Sequence, residues 1–110
     1  MEQVFNKLVR DNIPNKIESN GEVAITRILS DVEYRTELYK KLFEESHEVI
    51  NSQGDEDTLE ELADVLEVLK AIAELNNKKI DDVIEKANQK RLKCGGFEKR
   101  FFLEKTHKQQ

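Results

Sequence analysis

Two stretches decide how this chain folds: KLFEESHEVI (residues 41–50) and LEELADVLEV (residues 59–68). Each combines apolar residues at helical spacing with two acids three positions apart, Glu45 with Glu48 and Glu61 with Asp64. Residues three apart share one face of a helix. At about 100° per residue, and with Glu45 at 0°, Leu38, Val49 and Leu42 fall near 20–60°, and Ile50 and Phe43 near 140–160°. With Glu61 at 0°, Ile72, Val65, Leu69, Leu62 and Leu66 spread over roughly 20–140°. Glu45 and Glu61 therefore lie inside apolar arcs, and Glu48 and Asp64 flank them. Glu44, His47, Lys40, Glu60, Glu67 and Glu74 turn away. A short polar loop between the stretches makes an antiparallel helix pair, which brings the four carboxylates together.

A carboxylate aimed at a core is costly unless something pairs with it. Two helices that accept this cost in matching geometry point to a shared cation. Hard oxygen donors suit Mg²⁺ or Mn²⁺. The competing reading is a pair of charge-rich surface helices. Acids make up 23 of 110 residues, so some pairing arises by coincidence. Spacing alone leaves both readings open.

Working outward, Ser30-Asp31-Val32-Glu33 reads as a capping box, with Leu29 and Tyr34 as a hydrophobic staple. A helix of about twenty residues follows, to around Asn51. SQGDED forms the loop. Asp57-Thr58-Leu59-Glu60 reads as the next capping pattern, opening a helix to about Leu75. A third helix runs from about Ile80 to Lys93 and stops at Gly95-Gly96. Its apolar stripe is Ile80, Val83, Ile84 and Ala87. Arg91 continues that stripe, so its guanidinium suits either the acidic cluster or a phosphate, and the helix dipole alone also favours a cation there. Upstream, residues 4–13 end at Pro14, which disfavours helix at Ile13, and Asn20-Gly21 signals a turn. VAITRIL (23–29) is β-branched and reads as extended. FEKRFFLEK (97–105) reads as a short strand that pairs with it. Phe43 reads as core. The expected fold is an all-α antiparallel bundle with short N- and C-terminal extended segments.

Length sets one domain, residues 1–105, followed by a flexible tail, 106–110. Hydrophobic and charged residues each make up 37%, a lean core that oligomerisation would complete. The net charge is −5 without a basic tract, which argues against duplex nucleic acid as a partner. No membrane-spanning run and no signal peptide stand out, so cytoplasm is the expected location. The single cysteine, Cys94, excludes an intrachain disulfide framework and reads as an inert residue near a turn. His47 and His107 read as solvated.

The ordered blocks resemble the MazG-like, all-α nucleotide pyrophosphohydrolases, whose signature is E-E-x-x-E, a spacer, then E-x-x-D. Here these are Glu44-Glu45-Ser46-His47-Glu48, twelve intervening residues, then Glu61-Leu62-Ala63-Asp64. The flanks are similar to a small bacterial and phage branch, labelled phosphoribosyl-ATP pyrophosphohydrolase-like. Its K-L-V-R-D-x-I-P stands here as residues 7–14, and its G-G-F-x-K-R as residues 95–100. The resemblance implies Mg²⁺ held by Glu45, Glu48, Glu61 and Asp64. It implies cleavage of a nucleoside triphosphate to monophosphate and pyrophosphate, in a homodimer or homotetramer. Lys90 and Arg91 would contact phosphate, with Arg10, Lys7 and Arg100 as further candidates. Glu44 or Glu48 would accept a proton from the attacking water. Cys94 departs from the basic residue that relatives often carry before the glycine pair. Two other functions remain on this reading: phosphoribosyl-ATP as a dedicated substrate, and a non-catalytic helical dimerisation module.

Overall fold

In a computed structural model the described residues are 1–109, and they contain four α-helices and no strand. Helix α1 spans Ile13–Ser19, α2 Asp31–Ile50, α3 Asp55–Leu75 and α4 Ile80–Cys94. The expected all-α class holds. Gln110, the end of the expected tail, lies outside the described residues. No helix among them is long and apolar enough to cross a membrane.

The start of α2 is the capping box read from the sequence. Ser30 Oγ accepts from the Glu33 N–H at 3.3 Å, and Glu33 Oε1 accepts from the Ser30 N–H at 3.2 Å. Arg27 adds two hydrogen bonds to the Glu33 carboxylate, at 3.1 and 2.8 Å. This guanidinium, helped by the Ser30 groups, holds Glu33 down at about 2. Helix α3 opens three residues earlier than expected, at Asp55, with Gly54 rather than Asp57 in the cap position. Gly54 sits at φ 84°, a left-handed position that favours glycine. Asp57 lies in the first turn of α3, and its Oδ2 accepts from the Gln53 N–H at 2.9 Å. Asp57 thus reaches back from the first turn to the loop, rather than heading the helix.

Two expectations are corrected upstream and downstream. Pro14 does not exclude helix; it occupies the first turn of α1, where its missing N–H costs nothing. Residues 97–105 form no strand and do not pair with 23–29. A turn closes at their start instead, with the Arg100 N–H donating to Phe97 O at 3.0 Å.

Helices α2 and α3 are joined by residues 51–54 and pack along their length as an antiparallel hairpin. Ser52 and Thr58 share a hydroxyl hydrogen bond of 2.8 Å across the turn. Leu38 and Ala73, 3% and 6% exposed, are the only buried residues among those described. Leu42, Val49, Val65 and Ile72 are half-buried around them. These side chains occupy the part of each apolar arc nearest the acids. The other part is bare. Val32, Tyr39, Phe43 and Ile50 form one exposed stripe along α2, and Leu59, Leu62, Leu66 and Leu69 a second along α3. The α3 stripe advances by three and four residues alternately, as a helix–helix seam does. Phe43, expected in the core, is 78% exposed. What the sequence presents as one wide arc is two faces, only one of which is filled within the chain.

Helix α4 leans on α3, but only Ile80 is half-buried; Val83, Ile84 and Ala87 stay exposed. The chain is accordingly elongated, 70 × 35 × 24 Å. Its radius of gyration is 19.2 Å, against about 13 Å for a compact domain of this length. Its accessible surface is 10714 Å², where a folded monomer of this size exposes about 6300 Å².

Candidate metal centre

The hairpin register places three of the four expected acids together. Glu45 from α2 and Glu61 and Asp64 from α3 each offer a carboxylate oxygen, all within 4.8 Å of one another. All three are half-buried. Like charges this close raise the cost of ionisation. Burial first, and then the charges of Asp64, Asp57, Glu48 and Glu45, push Glu61 above its ordinary value. The site therefore stores electrostatic repulsion that a cation relieves. Three carboxylate oxygens from two helices are a hard donor set, of the kind that holds a divalent cation.

Glu48 lies outside the tight triplet and is exposed, although its charge is felt at Glu61. Glu44 faces away, as its helical angle requires, and forms an ion pair with Lys41 at 3.3 Å. Arg10 reaches the site from the N-terminal segment, and its Nη2 donates to Asp64 Oδ1 at 2.7 Å. Among the described residues it is the basic side chain paired to an acid of the triplet. The other four phosphate candidates stand elsewhere. Lys7 lies over the Phe5 ring, 5.4 Å from its centroid. Lys90 is exposed on α4. Arg91 pairs with Glu98 rather than meeting the acids of α2 and α3, and holds the Glu98 carboxyl below its usual value. Arg100 sits in the turn after Gly95-Gly96 with φ 60°.

Sequence reading missed Asp57, whose charge is one of the four felt at Glu61. It lies four residues before Glu61, one turn away on the same face, so the angular argument that found Asp64 also points to it. The partnership of Arg10 with Asp64 joins residues 54 positions apart and has no local signal. Cys94 is a free, exposed thiol. His47 is exposed and bonds Asn51 at 2.9 Å, away from the site.

No family model, no curated protein and no solved structure matches the chain.

Proposed function

We propose that this chain is a cytoplasmic, Mg²⁺-dependent nucleotide pyrophosphohydrolase, cleaving a nucleoside triphosphate to a monophosphate and pyrophosphate as a homodimer or homotetramer. The single observation that carries the reading is the convergence of Glu45, Glu61 and Asp64. These residues stand at the second acid of the E-E-x-x-E block and at both acids of E-x-x-D, and two separate helices bring their carboxylates within 4.8 Å.

Glu45, Glu61 and Asp64 would hold the ion, and Glu48, outside the triplet, adds a charge that is felt at Glu61. A divalent ion there supplies neutralisation of phosphate charge and acidification of a water. The chain's own groups account for the rest. Glu48, exposed beside the triplet, accepts a proton from water that attacks the α-phosphorus; Glu44, the other expected acceptor, faces away and pairs with Lys41 instead. The bond between the α-phosphorus and the bridging oxygen breaks, and that oxygen leaves with pyrophosphate. Arg10, beside Asp64, is placed to stabilise charge on the phosphates. Lys90, Arg91 and Arg100 would act on the leaving pyrophosphate once they are brought to an acidic cluster.

The bare stripes on α2 and α3 support the oligomer. Two hairpins that join these faces make a four-helix bundle, and the surface in excess of a compact monomer, about 4400 Å² per chain, far exceeds one side of a standard interface, about 800 Å².

Product analysis tests the reaction. Purified protein with Mg²⁺ meets canonical and modified (deoxy)nucleoside triphosphates and phosphoribosyl-ATP, beside Glu61→Ala. Monophosphate and pyrophosphate from the wild type, absent in the variant, is the expected result. Turnover of phosphoribosyl-ATP alone would assign the dedicated substrate. No turnover by a folded protein would leave a helical dimerisation module.

A further inference from the structure

The charges of this chain are sorted along its length. Residues 31–75, the α2–α3 hairpin, hold fourteen acids and four basic residues, a net of −10. Residues 76–110 hold ten basic residues and five acids, a net of +5. Residues 1–30 are balanced at four of each, which returns the overall −5. A net charge of −5 therefore hides a strongly acidic body and a basic C-terminal third.

That basic third ends in an arm that carries apolar mass with nothing against it. Phe97, Phe101, Phe102 and Leu103 are exposed, Phe97 at 97%. Lys99, Arg100 and Lys105 are interleaved with them. One acid of the arm, Glu98, is already paired with Arg91, so most of its positive charge is unpaired. Four large apolar side chains left in water are burial unrealised within the single chain. An aromatic and basic arm beside a body of opposite charge with bare leucine stripes is a complementary pair of surfaces. Within one copy the two are not joined: the arm leaves the far end of α4, and its rings remain in solvent.

We propose that the C-terminal arm, residues 97–105, docks on the acidic α2–α3 hairpin of a second copy of this chain, with the exchange made reciprocally. The aromatic rings cover apolar surface at the margin of the helical seam, and Lys99, Arg100 and Lys105 meet the acids of the partner's hairpin. The exchange places the basic residues beside an acidic cluster, which the single chain fails to do. This inference rests on the homo-oligomer proposed above, and it adds which segment crosses between copies.

The test is a zero-length cross-link read by isotope. Equal amounts of ¹⁴N- and ¹⁵N-labelled full-length chain are unfolded together and refolded, and a carbodiimide joins lysine amines to carboxylates in contact. Mass spectrometry is expected to find Lys99 or Lys105 joined to an acid of α2 or α3, with roughly half of these peptide pairs carrying one label of each kind, as random pairing in a twofold dimer demands. Pairs of a single label only would place the arm on its own hairpin and overturn the proposal. Oligomers without any arm–hairpin link, or a chain that sediments as a monomer, would overturn it too. As a second readout, Phe101→Ser with Phe102→Ser is expected to weaken association by about tenfold or more, and salt is expected to weaken the wild type. Mixed-label links in a protein without pyrophosphohydrolase activity would leave the arm exchange standing and the function refuted; turnover without such links would do the reverse.

Discussion

Leu62 offers the sharpest test of the bare leucine stripe on α3. It is 49% exposed in the single chain, so half of its side chain remains to be covered by a partner. A buried Leu→Ala change of modest severity costs about 2–3 kcal/mol. Half of that, about 1–1.5 kcal/mol, belongs to the interface of each copy, and a twofold dimer counts it twice. Leu62→Ala should therefore weaken dimerisation by about 2–3 kcal/mol, a rise in dissociation constant of roughly 30- to 150-fold. Sedimentation equilibrium over a concentration series reads this directly, with far-ultraviolet circular dichroism to follow helix content. Glu67→Ala, on the solvated face of the same helix, should leave the constant unchanged. A wild type that is monomeric and fully helical at micromolar concentration would refute the reasoning. So would a Leu62→Ala dimer as tight as the wild type.

Further predictions concern the charges. Folding raises the Glu61 value above its ordinary 4.5, so its stabilising contribution is complete below pH 4.5 and is lost as pH climbs through the raised value. Metal-free protein should thus lose thermal stability above pH 4.5, Glu61→Gln should lose less, and Mg²⁺ should restore the wild type; melting curves in chelator would show a parallel pH dependence of the two proteins if the idea is wrong. Glu33 behaves oppositely: its value is lowered to about 2, so its contribution is present above about 4.5 and disappears as pH falls towards 2, a dependence that Glu33→Gln should remove from acid unfolding curves. Ser30→Ala removes the cap of α2 and should cost about 1 kcal/mol, or roughly 4–8 °C in melting temperature; an unchanged melting temperature would mean that the capping box contributes nothing. Arg10→Ala frees Asp64 from an exposed ion pair and should tighten Mn²⁺ binding by a factor of about 2–5, judged from the usual strength of such pairs; weaker binding in a calorimetric titration would show that Arg10 does not compete for the site.

Helices α2, α3 and α4 were legible because their signals are local. Ser30 and Glu33 cap each other within one turn, the apolar spacing of α2 and α3 has the helical period, and Gly95 stops α4 at a left-handed position. The acid triplet was legible for the same reason, since two short spacings and one short loop fix it. Errors arose where one local signal has two meanings. Pro14 stops a helix from the C-terminal side but starts one from the N-terminal side, and α1 uses the second sense. Aromatic and alternating residues at 97–105 suit a strand, yet a strand needs a partner, and residues 23–29 supply none within the chain. Phe43 and Ile50 share an arc with Leu38, and periodicity does not distinguish an arc that meets one neighbour from an arc that meets two. Contacts across long separations, such as Arg10 with Asp64, leave no trace in spacing.

The hairpin of α2 and α3 also bears on how the chain reaches its final state. Its pairing joins neighbours in sequence across residues 51–54, so little loop entropy opposes its closure, and such local contacts assemble in microseconds to milliseconds. In the proposed oligomer the remaining apolar surface is covered only by a second molecule, a step whose rate rises with concentration. Maturation then divides into a fast solitary stage and a slower encounter stage. Between them the newly made chain carries bare leucines and phenylalanines, the surface that proteases and chaperones bind, and its lifetime in a cell is set by how many copies surround it.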